Sequence, residues 1–150
     1  MSFKKDNVLY LHISSNDSKS IYQANNYLDF IVNLPAMIEL QSEKDQYWSM
    51  TLSEFNIYGP VNFNEGLVIC CDRIESSCIR GEFKQVLAVV PPSTLVGNSF
   101  YLPMPQELRS LLLDKIRIWV LDRNLDKYPL SALSNQIEFT ATLHVQKEYK

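Results

Sequence analysis

Glycine is scarce in this 150-residue chain, which has only four, and the chain contains no long basic run. Its net charge is −3 at pH 7, so the positive patch of a dedicated nucleic-acid binder is missing, and we expect no direct sequence-specific contact with nucleic acid. No stretch approaches the roughly 20 apolar residues that span a bilayer, so we expect no membrane span. With so few glycines, turns must depend on Asn, Asp, Ser and Pro, which favours longer loops over tight hairpins.

Cysteine is also scarce and its number is odd. Cys70, Cys71 and Cys78 are the three cysteines, and two of them are adjacent. This pattern does not suggest a disulfide framework and favours reduced thiols in an intracellular compartment. The N-terminus, residues 1–6, lacks the apolar run of a signal peptide, which agrees with that interpretation.

Residues for catalysis are few. The two histidines, His12 and His144, each lack a second histidine nearby, as a metal site of the cupin kind would need. Both fall in predicted strands, so they become neighbours if the first and last strands pair, but no third ligand is evident. A Cys78–His144 nucleophile pair lacks an identifiable activating environment. The candidate acid–base carboxylates have the pattern of ordinary surface groups: Glu54, Asp72, Glu75, Asp114 and Asp122.

The sequence also contains no phosphate-binding glycine-rich loop and no nucleophile elbow. We therefore expect a protein that is not an enzyme, with no catalytic residue, no cofactor site and no metal site. A metal-dependent enzyme would instead show stoichiometric metal that is lost when His12 or His144 is substituted.

The clearest positive pattern is an alternation near the C-terminus. Apolar residues recur at every second position from Ile137 to Val145, with polar residues between them. A period of two over nine residues predicts a half-buried β-strand. The polar positions Thr140, Thr142 and His144 would form either a solvated face or an interface between subunits.

Other segments predict further strands. A slip in phase between Leu52 and Phe55 predicts a β-bulge. Gln106–Arg109, after Pro105, is the one place where a helical turn is expected. The predicted strands are Asn7–Ser14, Leu28–Leu34 closed by Pro35 with a possible restart at Met37–Leu40, Trp48–Ile57, Leu67–Cys71, Phe83–Val90, Ile116–Val120 and Ile137–Val145.

About eight strands and at most one helical turn predict an all-β fold, a two-sheet antiparallel sandwich. Jelly-roll topology is preferred, although periodicity does not give the strand order. Residues 1–150 are predicted to form a single domain. Tyrosines near predicted strand ends either anchor a partner or cover the rim of the core: Tyr10, Tyr22, Tyr27, Tyr47, Tyr58 and Tyr101.

Taken in order, several segments resemble a known family. Ser15-Asn16-Asp17-Ser18 follows the first strand, then come Phe30-Ile31-Val32-Asn33-Leu34-Pro35 and Trp48–Glu54. This order is similar to the S-N-x-S, F-x-V-x-L-P and W-x-V-x-L-x-E segments of the single jelly-roll minor capsid, penton-like proteins of Maverick/Polinton elements and adintoviruses. The chain has methionine at position 50, where the family pattern has valine.

The second half continues the resemblance. The matching segments are Cys71–Glu75 with Gly81, Val86–Pro91, Tyr101–Pro103, Ile116–Ile118 with Asp122, and Ala141–Val145. The resemblance implies a viral or virus-derived structural protein at capsid vertices, found in the virion and assembled inside the host cell. Its implied partners are copies of itself, with a pentamer favoured, and a major capsid protein. The alternative is a soluble trimeric module that binds a receptor or a glycan.

Overall fold

The described residues form eleven β-strands and one short 3-10 helix. The structure is a computed structural model that describes residues 2–5, 7–91 and 104–150, with side chains from residue 7 onward. The elements are β1 (Ser2–Lys5), β2 (Val8–Ser14), β3 (Asp29–Leu40), β4 (Gln46–Tyr58), β5 (Leu67–Cys71), β6 (Ser77–Ile79), β7 (Glu82–Lys84), β8 (Val86–Val90), β9 (Gln106–Glu107), β10 (Leu112–Leu121), the 3-10 helix (Ser134–Gln136) and β11 (Glu138–Tyr149).

Two antiparallel sheets pack as a sandwich. The β11 sheet has the strand order β2-β11-β4-β9, and the β10 sheet has the order β3-β10-β5-β8, with β1 added in parallel beside β3. The pairs β2·β11, β3·β10, β4·β9 and β5·β8 are nested, so the chain runs as a long antiparallel ribbon that wraps into two sheets. This strand order is that of a jelly roll, and it confirms the predicted fold class.

The core lies between the sheets, and the alternation in β11 is confirmed. Ile137, Phe139, Ala141, Leu143 and Val145 are all buried. The ring of Phe139 lies 5.7 Å from that of Phe30 on the opposite sheet, measured between centroids. Such aromatic contacts add to the free energy gained by burying the rings themselves.

The predicted bulge in β4 is also confirmed. Thr142 of β11 pairs with Glu54, whereas the next residue, Leu143, pairs with Leu52. Ser53 is therefore the extra residue, and its hydroxyl donates to the carbonyl of Thr142 at 3.0 Å. The bulge changes the phase of β4, so apolar side chains on both sides of it reach the core.

Strand β3 continues through Pro35, which was expected to end it. Strand β10 pairs with β3 at Asn33 and again at Ile38, and a register shift separates these two points. Proline donates no backbone hydrogen bond, and here it lies where the ladder to β10 is interrupted. A strand can therefore contain it without losing a paired amide.

The helical turn expected at Gln106–Arg109 is absent, because these residues complete the edge of the β11 sheet. Glu107 pairs with Ser49, and the amide of Leu108 donates to the carbonyl of Trp48 at 2.8 Å. One isolated helical turn forms few hydrogen bonds, so pairing with an existing strand satisfies this backbone better. The single helical turn among the described residues is the 3-10 helix after residue 133.

The apolar run predicted as one strand from Phe83 to Val90 is two strands. Strand β7 pairs with β6 in a tight hairpin, which was not expected from the low glycine content. Arg80 and Gly81 both have positive φ angles, 49° and 78°. Two such residues in a two-residue loop match the twist of the flanking strands.

A second apolar cluster lies on the outer face of the β10 sheet. Val68, Cys70, Val86 and Leu121 are buried there, and Ile79 of the hairpin packs against them together with Trp119 and Leu125. Strand β5 is consequently buried along its whole length. This explains why its sequence is a continuous apolar run instead of an alternation.

Candidate functional site

The outer face of the β11 sheet contains a polar groove of about 400 Å³. Its floor is low because the outward side chains of the central strand there are threonines, Thr140 and Thr142. Strands β2 and β4 present larger side chains on either side. The lining residues are His12, Ile13, Ser14, Asp17, Glu54, Phe55, Asn56, Tyr58, Thr140, Ala141 and Thr142.

Strand register aligns three of these residues in one row. Thr142 pairs with His12 on one side and with Glu54 on the other. Its hydroxyl donates to Glu54 Oε1 at 3.1 Å, and it lies 3.0 Å from His12 Nδ1. The single hydroxyl proton is already donated to the carboxylate, so His12 must donate from Nδ1. The Thr142 hydroxyl therefore bridges the His12 imidazole and the Glu54 carboxylate.

The neighbouring row continues the polar lining. Thr140 pairs with Ser14 and with Asn56. The hydroxyl of Ser14 donates to Glu138 Oε2 at 2.5 Å, and the amide of Ser14 donates to Asp17 Oδ2 at 2.9 Å. The turn after β2 is thus attached to the groove, and it brings a second carboxylate into the lining.

The groove contains carboxylates without basic partners. Asp17 and Glu54 are the two carboxylates in its lining, and no Lys or Arg is among the described residues that form it. Neither residue takes part in a salt bridge within the described part of the chain. The described lining therefore contains two carboxylates that no basic side chain neutralises by a salt bridge.

The opposite side of the sandwich differs in this respect. On the outer face of the β10 sheet, Arg117 forms a bidentate pair with Asp29, with Nε–Oδ1 and Nη2–Oδ2 distances of 3.0 and 2.8 Å. Hydrogen bonding to Asp29 raises the pKa of the Arg117 guanidinium above its ordinary value. Arg73 pairs with Asp72 at 3.2 Å. Two ion pairs therefore lie on this side of the sandwich, whereas the described carboxylates of the groove form none.

The two histidines lie on adjacent strands, as expected if the first and last strands pair. They nevertheless have different partners. The ring of His144 stacks on Tyr10 at 4.7 Å with an interplanar angle of 9°, whereas His12 is bonded to Thr142. Among the described residues, no group of three or more His, Cys, Asp or Glu side chains has an arrangement that could hold a metal ion.

The cysteines are separated by the fold. Cys71 is buried in the main core and Cys70 in the outer cluster, and burial raises the pKa of each thiol to about 12. Cys78 is exposed on the β6–β7 hairpin. That hairpin lies over the β10 sheet, whereas His144 is on the outer face of the other sheet. The structure therefore does not bring Cys78 and His144 together.

The two roles considered for the tyrosines were to anchor a partner and to cover the rim of the core, and the structure contains both buried and exposed tyrosines. Tyr27 is buried and its hydroxyl accepts a hydrogen bond from the amide of Ser131 at 3.2 Å. Tyr10 and Tyr58 are 57% and 55% exposed. Among the tyrosines that the structure describes, Tyr58 is the one in the lining of the groove. Tyr101 lies outside the described residues.

Polar residues of the S-N-x-S segment have structural roles. The hydroxyl of Ser15, which is buried, accepts the amide of Phe139 at 3.0 Å. Ser18 accepts the amide of Asn33 at 3.0 Å. These bonds attach the β2–β3 connection to both sheets. Only Asp17 of this segment contributes to the groove.

Sequence reasoning missed the groove as a site. It assigned Thr142 and His144 to one polar face and regarded Glu54 as an ordinary surface group. The alternation identified which residues face outward, but no sequence signal indicated that His12, Thr142 and Glu54 share a row. Recognising the row requires the partners and register of three strands.

Comparison with models of protein families and with curated proteins finds no match for this chain. No helix in the described ranges has the length and apolarity to cross a membrane.

Proposed function

We propose that the protein is a viral or virus-derived structural protein, a single jelly-roll minor capsid or penton subunit that forms cyclic oligomers at capsid vertices. The observation that carries the proposal is the ordered resemblance to the penton-like proteins of Maverick/Polinton elements and adintoviruses. The first segments of the resemblance coincide with β2 and the turn after it, with β3 and with β4. The jelly-roll strand order is compatible with that resemblance, although the same fold serves many other functions.

Exposed apolar side chains support a role in assembly. Phe83 on the β6–β7 hairpin is 78% exposed and Val89 on the edge strand β8 is 55% exposed. Met37 in β3, Leu112 at the start of β10 and Leu111 just before it are 40–49% exposed. Contact between subunits would remove such surface from water, and a stable contact buries about 800 Å² per partner.

The proposed partners are copies of this chain and a major capsid protein, and the proposed location is the virion. Assembly takes place inside the host cell in this proposal. No substrate is transformed, because the role consists of contacts between folded subunits. Closed rotational symmetry would limit the assembly to a ring, of which a pentamer is the favoured form.

The test is the mass of the particle in solution over a range of protein concentrations. Light scattering or sedimentation should give a species of about five chains, each of 17.4 kDa, and electron micrographs should show rings. A strictly monomeric protein at capsid-like concentrations would contradict the proposal. A trimer with saturable binding on a glycan array would favour the receptor- or glycan-binding module instead.

A substitution in the β6–β7 hairpin tests whether the hairpin forms a contact between subunits. Phe83→Asp places a charge on a side chain that is already largely exposed, so the fold should tolerate it. We expect the ring to dissociate toward monomers, whereas the control Asn124→Asp, which adds the same charge at an exposed polar side chain, should leave it assembled. Equal assembly of both variants would remove the hairpin from the interface.

A further inference from the structure

We propose that the outer edge of β2 pairs with the same edge of a second copy of this chain, in an antiparallel contact whose symmetry axis passes beside Tyr10. The contact would join the two β11 sheets into one continuous sheet. The inference does not require the capsid role, because it rests on the backbone groups of one strand and on the aromatic ring at its centre.

Alternate residues of β2 direct their backbone groups away from the sheet. Asn7 and Ser15, one on each side of the strand, both bond through the backbone to the β11 segment. Such bonding alternates in an antiparallel pair, so the odd-numbered residues between them also face β11, and the even-numbered residues direct N–H and C=O outward. The outward amide of Ser14 donates to the Asp17 carboxylate at 2.9 Å, and its carbonyl accepts the Asp17 amide at 2.9 Å. The turn after the strand therefore satisfies Ser14.

Three outward residues of the strand keep free backbone groups. Val8, Tyr10 and His12 have no backbone partner on this side among the described residues, and each is exposed. Unpaired backbone groups on a strand are a template for pairing with another strand. Because the three are spaced evenly about Tyr10, an antiparallel copy brings Tyr10 opposite itself and His12 opposite Val8. About six hydrogen bonds can then form across the axis.

The other edges of the two large sheets have protection that β2 lacks. Side chains of Asn25 and Ser18 and the four-residue strand β1 cover β3. The amide of Glu75 donates to the outward carbonyl of Glu107 on β9, and β8 has a register shift that disturbs its edge. By contrast, β2 pairs with β11 over seven residues without a register shift, and it contains no Pro, Asp, Glu, Lys or Arg. The edge of β2 is therefore regular and open.

An aromatic ring that is already held in place lies at the centre of this edge. Tyr10 is 57% exposed, yet its ring is stacked on that of His144, with the centroids 4.7 Å apart. Residues directly opposite each other in an antiparallel pair point to the same face, with Cβ atoms about 5 Å apart. The two copies of Tyr10 would therefore lie side by side between the two copies of His144. Because each ring is already fixed, little side-chain freedom is lost when they meet.

Charge and symmetry favour a second copy as the partner. No Asp, Glu, Lys or Arg of β2 meets its equivalent across the axis, so pairing brings no like charges together. A strand of a different protein would need a matching uncharged edge, whereas a copy supplies one by symmetry. An isologous contact of this kind needs only one self-complementary patch.

The experiment measures the mass of the full chain by sedimentation equilibrium, from micromolar to millimolar concentration. An edge contact is smaller than a standard interface, so we expect pairing at the upper end of this range. The mass should at least double relative to the unit present at low concentration, from a single chain to a pair or from the proposed ring to joined rings.

Two equally exposed tyrosines provide a matched test of the location. Tyr10→Lys places two ammonium groups beside each other across the axis and should raise the concentration needed for pairing by about tenfold or more. Tyr58→Lys, on β4 of the same sheet and 55% exposed, should change that concentration by less than about twofold. Val8→Pro keeps Tyr10 but removes an amide that the subunit does not use, and it should weaken pairing as well.

Amide hydrogen exchange followed by NMR identifies the edge itself. At high concentration the amides of Val8, Tyr10 and His12 should become protected, whereas in Tyr10→Lys the outward amides of β2 should exchange freely. The odd-numbered amides of β2 bond to β11, so they should stay protected in every sample, which establishes that the variants are folded.

The inference is overturned if the mass does not rise with concentration, if Tyr10→Lys pairs as readily as Tyr58→Lys, or if the outward amides exchange equally at low and high concentration. The fate of the ring is a separate outcome. A chain that forms pairs but no rings would contradict the capsid proposal and support this one. Rings that never join would overturn this inference and leave the capsid proposal standing.

Discussion

The side chain of Asn25 forms two hydrogen bonds with the backbone of Ile31. Its Nδ2 donates to the carbonyl at 2.8 Å, and its Oδ1 accepts from the amide at 3.0 Å. The amide side chain therefore replaces a neighbouring strand at this point of β3. Ser18 binds the amide of Asn33 in the same way, and β1 pairs with the far end of the strand. The outer edge of β3 is thus covered by loop side chains and a short strand, which limits unwanted pairing of edges.

Replacing Asn25 should destabilise the protein through this edge. We expect Asn25→Ala to lower the free energy of unfolding by about 1–3 kcal/mol, because two backbone groups of Ile31 lose their partner. Denaturation with urea measures the change. Asn124→Ala in an exposed loop is the control and should change stability by less than about 0.5 kcal/mol. Equal effects of the two substitutions would contradict the role assigned to Asn25.

Phe139 tests the core. Its ring is fully buried and lies 5.9 Å from that of Phe55, in addition to its contact with Phe30. We expect Phe139→Ala to lower the free energy of unfolding by about 3–5 kcal/mol, since it loses burial and leaves a cavity. The adjacent substitution Thr140→Ala, on the outward face, should cost no more than about 0.5 kcal/mol in the isolated subunit. A larger effect of Thr140→Ala that is confined to the assembled state would identify this face as an interface.

Two glycines with positive φ angles should respond differently to alanine. At Gly81, where φ is +78°, an added Cβ meets nothing within 4 Å. Gly81→Ala should therefore cost only the strain of the backbone, about 1–2 kcal/mol. At Gly59, where φ is +124°, the added Cβ would lie 2.6 Å from the carbonyl oxygen of Gln136. Thermal unfolding should show a clearly larger loss of stability for Gly59→Ala than for Gly81→Ala. A larger loss for Gly81→Ala would contradict the backbone contact assigned to Gly59.

The cysteines should react at different rates with a thiol reagent. At pH 8 we expect Cys78 to react quickly and Cys70 and Cys71 to react only on unfolding, because burial raises their pKa to about 12 and keeps them protonated. The count of fast thiols per chain, followed by absorbance, should be one. Two or more fast thiols at pH 8 would contradict the burial of β5.

The two buried thiols should also make the stability of the fold depend on pH. Between pH 9 and pH 12 the unfolded chain loses thiol protons that the folded chain retains, so Cys70 and Cys71 should destabilise the fold as the pH rises.

The strands that sequence reasoning placed well are those with a clear local pattern. The alternation of β11 depends only on the geometry of an extended chain, in which successive side chains point to opposite faces. The bulge at Ser53 was likewise visible, because an added residue reverses the phase of the apolar positions that follow. Jelly-roll topology was preferred, but the pattern alone did not give the order of the strands.

The predictions that the structure contradicts concern segments whose conformation depends on pairing with residues distant in the sequence. Gln106 and Glu107 join β4 instead of forming a helical turn, and Pro35 lies inside a strand because β10 shifts register beside it. The hairpin at Arg80 and Gly81 was missed because only one glycine is present, and arginine adopts the other positive φ angle. In each case the backbone is stabilised by tertiary pairing that outweighs the local preference.

The amino-acid sequence by itself determined that this protein is built from β-strands and which side chains on the clearest of them face the core. It could do so because burial imposes a local period of two on each strand. Only the tertiary structure decided that His12, Thr142 and Glu54 form one row. His12 and Thr142 are 130 residues apart in the chain, and Glu54 is 88 residues from Thr142. Their meeting depends on the pairing and register of three strands, which are set by the packing of the whole sandwich.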